Sequence, residues 1–240
     1  MSAPVIATLE EGVARLELNR PERHNAFDAA LKDAFVAAVD GLTARPELRC
    51  VVVAGAGRSF SSGADLKMLG ALEPAAARTF MIEATLAFRR LEKLPVPVIA
   101  EVHGYCLGGG FELALHCDFI VAADDASFGL PEAGIGLVPT AGAAERLLGI
   151  VGAMRARELL FTGRRVSADE AARMGLVSDV VARDELAAKV KERARALATA
   201  PREGIAALKA LVGRRLERDH AAGWIGELEA FESILRARKP

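Results

Sequence analysis

The chain has 240 residues, of which 52% are hydrophobic and 26% charged, with a formal net charge of −1. This length and apolar content suffice for one domain with a sizeable core, and the balanced charge argues against nucleic acid as the main partner. The three cysteines show no C-x-x-C spacing, which argues against a disulfide scaffold or a zinc site.

The sequence shows no targeting or membrane segment. Met1-Ser2-Ala3-Pro4 contains no basic stretch followed by an apolar one, so no signal peptide is expected. No apolar run approaches the length that spans a bilayer. Together with the cysteine pattern, this predicts a cytoplasmic protein without membrane contact.

Predicted strands and helices alternate in the first two-thirds of the chain, and the remainder is mainly helical. In chain order the first predicted elements are strands at 5–9 and 14–18, a helix at 28–42 that Asp28 caps, a strand at 49–54, and helices at 66–69 and 74–94. A strand at 98–102, a helix at 110–116, a strand at 117–123 and a loop-rich segment at 124–139 follow. The last predicted elements are helices at 143–148, 152–161, 168–174, 184–200 and 202–216, with a short strand at 177–181. The pattern predicts an α/β fold with a helical C-terminal part, and the character changes near Gly163.

One glycine-rich stretch has the parts of a catalytic site. His103-Gly104-Tyr105-Cys106-Leu107-Gly108-Gly109-Gly110-Phe111-Glu112 lies between a predicted buried strand and a predicted helix. Three consecutive glycines lose much backbone entropy on folding, and they indicate a place where a ligand approaches the backbone. A helix that starts there directs free N–H groups at the ligand, and Glu112 can move a proton. Close packing and the helix dipole explain the same residues equally well on this stretch alone.

Other motifs give weaker signals. Gly55-Ala56-Gly57 follows a strand, but Phe60 stands where a dinucleotide-binding fingerprint needs its third glycine. The absence of G-K-[ST] excludes a P-loop, and no G-x-S-x-G elbow supports a hydrolase triad. No histidine pair has i, i+3 or i, i+4 spacing, so no helical metal site is predicted, and His103 is expected to be a buried, satisfied histidine.

Glu132 is a candidate partner for Glu112. It follows Pro131 at a predicted helix start, which by itself is an ordinary position for an acid. The two carboxylates each stand at the head of a helix after a glycine-containing loop. They can therefore face one cleft and divide acid and base roles between them.

Taken together, several stretches resemble the enoyl-CoA hydratase/isomerase (crotonase) family. They are Asn19-Arg20-Pro21 with Asn25-Ala26, then Phe60 to Lys67, Gly104 to Glu112, Phe128 to Glu132, Leu159 to Gly163, and Ala171 to Val177. The resemblance runs over most of the chain in one order. It is specific to the family and less specific to one reaction.

The resemblance implies a crotonase fold. Residues 1–163 would form a core of repeated ββα units with the CoA and catalytic site, and residues 164–240 would form a helical trimerisation region. It implies a homotrimer or a dimer of trimers. It also implies an acyl-CoA thioester as the partner molecule, no separate cofactor because CoA is part of the substrate, and no metal.

The resemblance also assigns the site residues. The N–H groups of Ala64 and Gly109 would hold the thioester oxygen. Glu112 would orient and deprotonate the water that attacks Cβ, and Glu132 would deliver the proton to Cα. The residues that would contact CoA are Arg23, Ala64, Asp65, Leu66, Lys67 and Gly108.

Two departures from the family pattern concern the acyl pocket. Thr140-Ala141-Gly142-Ala143-Ala144 replaces the usual double glycine before Arg146-Leu147, and the segment after Trp224, ending at 236–240, looks abbreviated. The candidates for lining the pocket are Met68, Leu69, Phe88, Leu137 and Val138, each equally explained as core.

The pair of acids favours one function among the family's reactions. Hydration needs one group to activate water and another to exchange a proton at Cα. The sequence therefore predicts an enoyl-CoA hydratase, which converts a 2-enoyl-CoA reversibly to a 3-hydroxyacyl-CoA in fatty-acid or related degradation. The alternatives are a Δ3-Δ2-enoyl-CoA isomerase or other crotonase-fold reaction, and a non-catalytic acyl-CoA binder.

Overall fold

The computed structural model describes residues 3–220 and 223–238; residues 1–2 and 239–240, named above in the terminal segments, lie outside these ranges. The strands are β1 (Val5–Glu10), β2 (Val13–Leu18), β3 (Cys50–Gly55), β4 (Val98–Val102), β5 (Tyr105–Leu107), β6 (Phe119–Ala123), β7 (Ser127–Gly129), β8 (Val166–Ser167) and β9 (Asp179–Val181). The helices are α1 (Ala29–Thr43), α2 (Leu66–Ala71), α3 (Pro74–Glu92), α4 (Gly109–Leu115), α5 (Ala143–Val151), α6 (Ala153–Thr162), α7 (Ala168–Arg173), α8 (Leu186–Ala198), α9 (Arg202–His220) and α10 (Gly223–Arg238). Two 3-10 helices span Pro21–Arg23 and Pro131–Ile135.

A six-stranded sheet forms the centre of the molecule, in the order β1-β2-β3-β4-β6-β9. Only the β1–β2 hairpin is antiparallel, and the other neighbours run parallel. Every residue of β3 and β4 is buried because helices cover both faces of the sheet. One face packs mainly on α1 and α3 and the other on α8, whose Val190 and Ala194 contact the side of the sheet that carries Val52 and Ile99.

A second sheet of β5, β7 and β8 lies beyond the carboxyl ends of β3 and β4. Carboxyl ends of neighbouring parallel strands meet at one edge, so the loops that follow them meet as well. The amide of Phe60 donates to the carbonyl of His103 at 2.8 Å, and that of Ser61 to Tyr105 at 2.9 Å. Leu107 N–H returns a bond to the Ser61 carbonyl at 3.0 Å. The Gly/Ser loop after β3 is therefore joined directly to the glycine-rich stretch after β4.

The predicted α/β architecture with its helical C-terminal part is confirmed, and most predicted elements end within a few residues of the observed ones. The loop-rich segment 124–139 needs correction, because it contains β7 and a 3-10 helix. Strands β5 and β8 and helix α10 were not predicted. The missed strands have only two or three residues, too few for a visible two-residue alternation. The division at Gly163 stays a prediction.

Among residues 3–220 and 223–238, no helix combines the length and apolar character that crossing a bilayer requires.

Candidate active site

Asn25 holds the loop that carries Ala64. Its side-chain nitrogen reaches the carbonyl oxygens of Ala56, Ser59 and Phe60 at 3.0, 2.7 and 3.1 Å, and the residue is fully buried. Its backbone φ is +53°, a left-handed conformation that asparagine tolerates better than most residues. The family-like Asn19-to-Ala26 stretch thus fixes the loop between β3 and α2.

Ala64 and Gly109 border the same space. Phe27 pairs with Ala64 in a parallel bridge through Gly63 and Asp65: Phe27 N–H donates to Gly63 O at 2.8 Å and Asp65 N–H donates to Phe27 O at 2.9 Å. In this pattern the N–H of Ala64 points away from Phe27. It lies 3.7 Å from where a Cβ on Gly109 would stand. Within the described residues, neither the Ala64 nor the Gly109 amide donates a hydrogen bond.

A side chain would have different surroundings at each of the three consecutive glycines. A Cβ on Gly108, whose φ is +51°, would stand 3.0 Å from the Glu132 carboxylate, and one on Gly110 would stand 2.6 Å from the Ser61 carbonyl. A Cβ on Gly109 would meet nothing closer than 3.7 Å. Gly108 and Gly110 are therefore required by the protein's own packing, whereas the space above Gly109 is open.

Glu112 lies buried in the first turn of α4 with one oxygen fully engaged. Its Oε1 accepts hydrogen bonds from the amides of Thr140 at 2.8 Å and Ala141 at 2.7 Å. Burial raises the pKa of this carboxyl, and the two amides oppose the shift because they favour the charged form. The Oε2 atom lies 3.7 Å from the Cβ position of Gly109, beside the two free amides.

Glu132 approaches the same turn from the 3-10 helix after β7. Its Oε2 is buried and has no hydrogen-bond partner among the described residues. Burial, followed by the negative charge of Glu112, raises the pKa of Glu132 to about 8. Of the two acids, only Glu112 receives two amide hydrogen bonds, so the negative charge of the pair resides preferentially on Glu112 and the proton on Glu132.

Both acids, Ala64 and Gly109 line one cleft of about 70 Å³. Its apolar wall consists of Leu66, Leu69, Met81, Leu137, Val138 and Phe231. A second cavity of about 20 Å³ shares Met81, Glu112 and Thr140 with the cleft and ends on Phe27, Phe80 and Phe88. Of the predicted pocket residues, Leu69, Leu137 and Val138 line the cleft and Phe88 the deeper cavity, whereas Met68 packs against the core.

Of the residues predicted to contact CoA, Ala64, Leu66 and Gly108 line the cleft. Leu66 is 55% exposed, and Arg23 and Lys67 are exposed. The Asp65 carboxylate is already engaged, because it pairs with Arg20 at 2.9 Å and accepts the amide of Met68, and these contacts lower its pKa. Its side chain fixes the loop and the start of α2. The CoA roles of these residues stay predictions.

Two features of the site were missed by the sequence analysis. The backbone of 140–144 holds Glu112, and a third carboxylate, Glu227, reaches this segment from α10. Apolar residues of α10 recur every three or four positions, as in Leu228, Phe231 and Leu235, which is a helix signal. The docking of α10 beside the site has no local signal. His103 is buried and bonded to the Gly57 carbonyl at 3.1 Å, as predicted.

A larger cleft lies elsewhere. It has about 330 Å³ and is formed between the sheet and α8. Its buried acid, Glu101, forms two hydrogen bonds with Arg15 at 2.8 and 2.9 Å. A carboxylate already paired in this way is poorly suited to proton transfer, so size alone does not mark the functional site.

Comparisons with known proteins identify relatives of this chain. The sequence model described as "Enoyl-CoA hydratase/isomerase" matches residues 8–239. The chain is 37% identical over 231 residues to a crotonyl-CoA hydratase of Syntrophomonas wolfei, with 95% of this chain and 88% of that protein aligned. It is 36% identical over 228 residues to a short-chain-enoyl-CoA hydratase of Clostridium acetobutylicum, covering 95% and 87%. The crystal structure of an enoyl-CoA hydratase from Mycobacterium avium subsp. paratuberculosis superposes with a TM-score of 0.87 at 30% identity, covering 100% and 96%.

Proposed function

Because the chain belongs to the enoyl-CoA hydratase/isomerase family and has its crotonase fold, we propose that it works as an enoyl-CoA hydratase. The reaction is the reversible addition of water to a 2-enoyl-CoA to give a 3-hydroxyacyl-CoA. The observation that carries the proposal is the shared cleft, in which two free amides and two differently held carboxylates converge.

The amides of Ala64 and Gly109 hold the thioester oxygen. Attack at Cβ places negative charge on that oxygen as the enolate forms. Two fixed backbone donors stabilise this charge with little reorganisation, and losing one such donor lowers the rate by about a hundred- to a thousand-fold. A methyl group at position 109 would occupy the space that the thioester needs.

Glu112 and Glu132 divide the proton chemistry. The ionised Glu112 orients a water molecule and takes its proton as the oxygen bonds to Cβ. The protonated Glu132 then transfers its proton to Cα, which collapses the enolate. Proton exchange with solvent restores the starting states. A pKa of Glu132 raised to about 8 keeps this acid protonated at neutral pH, as the step requires.

Turnover of crotonyl-CoA tests the proposal. Wild-type protein is expected to remove the absorbance of the conjugated thioester. Glu112→Gln and Glu132→Gln are each expected to lower kcat by about a hundred-fold or more, because each removes a proton-transfer group. Wild type as inert as Glu112→Gln across a panel of 2-enoyl-CoAs would refute hydration. Migration of the double bond in a 3-enoyl-CoA that survives Glu112→Gln but not Glu132→Gln would indicate an isomerase instead.

The proposal includes a trimer or a dimer of trimers. Large apolar side chains are exposed on α5, α6 and α9, and these are Leu148, Ile150, Met154, Phe161, Leu208, Leu211 and Val212. Faces of this kind mark interfaces between subunits. Sedimentation equilibrium is expected to give three or six times the chain mass of 25.4 kDa. A mass of one chain at micromolar concentration would contradict the assembly.

The same proposal covers the surroundings of the reaction. CoA enters as part of the substrate, with Arg23, Leu66 and Lys67 at the mouth of the cleft, and no separate cofactor takes part. The free cysteines Cys50, Cys106 and Cys117 support a reducing compartment, the cytoplasm.

A further inference from the structure

Two glutamates from different elements hold four amides of one short segment. Glu112, on α4, accepts hydrogen bonds from the N–H groups of Thr140 and Ala141. Glu227, on α10, takes that of Gly142 with Oε2 at 2.6 Å and that of Ala144 with Oε1 at 3.0 Å. The segment 140–144 is thus fixed by Glu112 at its beginning and by Glu227 at its end.

The N-terminus of α5 needs the carboxylate that Glu227 supplies. The first amides of a helix have no partner within the helix and are usually satisfied by a capping side chain. The N-cap of α5 is Gly142, which has no side chain and whose φ is +77°. Glu227 replaces the missing cap because its two oxygens accept the amides of Gly142 and Ala144, and these two hydrogen bonds oppose the rise that burial causes in its pKa.

Packing of α10 on α3 sets the position of Glu227. The neighbouring Leu228 and Phe231 are each only 2% exposed. Glu232 pairs with Arg78 of α3 at 2.9 Å, and Arg89 of α3 lies 5.4 Å from the ring centre of Trp224. The helix is therefore anchored on both sides of Glu227.

We propose that Glu227 is a positioning residue for hydration: by holding Gly142 and Ala144 it fixes the segment whose preceding amides, at Thr140 and Ala141, orient the Glu112 carboxylate. This inference rests on the proposed function, because it concerns the geometry of the group that activates water. Glu227 does not itself touch the substrate. It also acts on the site through its charge.

The charge of Glu227 is felt at Glu132. Burial, then the charge of Glu112, raises the pKa of Glu227 to about 8, and the charge of Glu145 acts in the same direction. The charge of Glu227 in turn contributes to the raised pKa of Glu132.

The cations on the neighbouring helices are engaged elsewhere. Arg146 pairs with Glu92, Arg78 with Glu232, and Arg89 lies over Trp224. Among the described residues no cation forms an ion pair with Glu227. Removing the carboxylate at 227 is therefore expected to lower the pKa of Glu132.

The experiment compares Glu227→Gln with Glu229→Gln in the full-length protein. Glu229 lies on the same helix and is exposed, so it controls for loss of one carboxylate from α10. Crotonyl-CoA hydration is measured across pH, and thermal unfolding is followed alongside. For Glu227→Gln we expect kcat to fall about tenfold or more with KM within about threefold, because each carboxylate oxygen accepts one amide and the nitrogen that replaces one of these oxygens in glutamine can only donate. The alkaline limb of the kcat profile is expected to move to lower pH, and Glu229→Gln to behave as wild type.

A second variant separates charge from geometry. Glu227→Asp keeps the charge on a side chain one methylene shorter, so kcat should fall while the alkaline limb stays near its wild-type position. Glu227→Gln that matches Glu229→Gln in kcat and limb would overturn the inference. Loss of activity with an unmoved limb would reduce Glu227 to a stabilising contact and overturn it too. Wild type that hydrates no enoyl-CoA would refute the proposed function, a result distinct from both.

Discussion

At the scale of single residues, the three glycines before Glu112 look alike in the sequence and differ in the fold. Gly108 leaves room for Glu132 and Gly110 for the carbonyl of Ser61, whereas the space above Gly109 is open. The prediction that a ligand approaches this stretch of backbone stays a prediction. Which glycine has open space depends on neighbours far away in the chain, namely Ser61, Ala64 and Glu132, and no local pattern encodes that.

Gly109→Ala should give a folded but impaired enzyme. The added methyl group meets only ordinary contacts of 3.7 Å or more in the protein, so the unfolding temperature should stay close to that of wild type. It fills the space between two donor amides, so kcat/KM for crotonyl-CoA should fall by about a hundred-fold or more. Steady-state kinetics and calorimetry check the two halves of this prediction.

Gly149→Ala provides the matched control for that variant. A Cβ at Gly149 has nothing within 4 Å, and the residue is in helix α5. It should keep full activity and gain about 0.5–1 kcal/mol of helix stability. Wild-type turnover by Gly109→Ala would remove position 109 from the thioester site.

At the scale of elements, α4 and the loop before α2 are built as one unit. The loop residues Ser61 and Gly63 pack against the turn formed by Gly108, Gly109 and Gly110. Two hydrogen bonds connect Ser61 with Tyr105 and Leu107. This close approach brings the two donor amides together. It also means that the start of α4 tolerates no added bulk on the side facing Ser61.

Gly110→Ala should therefore destabilise the fold, unlike the change one position earlier. The new Cβ would lie 2.6 Å from the Ser61 carbonyl oxygen, a backbone atom that cannot move aside easily. We expect a loss of about 2–3 kcal/mol, which lowers the unfolding temperature by about 5–10 °C for a chain of this size. Thermal unfolding followed by circular dichroism measures it, and an unchanged midpoint would show that α4 is not packed as described.

Helix α3 closes the far end of the substrate space. Phe88 packs edge-on against Phe27 and Phe35 with ring centres 5.9 and 5.8 Å apart, and this cluster forms a rigid floor beneath a cavity of about 20 Å³. The cavity has room for about one small group. Short acyl chains should therefore fit, and long ones should meet aromatic rings.

Rates with acyl chains of increasing length test this floor. We expect kcat/KM to fall about tenfold or more between four-carbon and ten-carbon 2-enoyl-CoAs, because each misfitting methylene is worth about 1 kcal/mol or more. Met81→Ala, at the border of cleft and cavity, should narrow this difference, whereas Met154→Ala, 78% exposed, should not. Equal rates for both acyl chain lengths in the wild type would mean that the acyl chain leaves the cleft by another route.

Features that are set within one turn of the chain could be predicted from the sequence, whereas contacts that depend on the packing of distant elements could not. Asp28 as the cap of α1 and Pro74 as the first residue of α3 were predicted correctly because capping and proline geometry act within one turn. Glu112 and Glu132 were named from their positions at helix starts, and the structure brings them into one cleft. Glu227 could not be found in this way, because its place depends on how α10 docks against α3 and α5.

At the scale of the whole molecule, the site concentrates buried acid in one region. Glu112, Glu132 and Glu227 all have a raised pKa, chiefly because of burial. For Glu132 and Glu227 the pKa rises from 4.5 to about 8, so the folded state prefers their protonated forms. Their contribution to stability is complete below pH 4.5 and is lost as the pH rises through about 8.

Stability should therefore decline on the alkaline side. The lowered pKa values of Asp65 and Glu92 act in the opposite sense, and their contribution is lost as the pH falls below the ordinary range of carboxyl groups. We expect the unfolding temperature to be highest near about pH 5–6 and to drop by about 5 °C or more towards pH 9. The double variant Glu132→Gln, Glu227→Gln should flatten that alkaline decline. A wild-type midpoint that is constant from pH 6 to 9 would contradict the raised pKa values.

The buried amide of Asn25 has a consequence for how the protein tolerates change. Three carbonyl oxygens converge on its nitrogen, so this atom must be a donor, whereas its oxygen accepts the amide of Arg20 at 2.8 Å. Aspartate has nearly the same shape, yet it would place a negative oxygen against these three carbonyl oxygens at a fully buried position. Asn25→Asp, which is also the product of slow deamidation, changes the shape of the side chain very little. It should nevertheless destabilise the loop that carries Ala64.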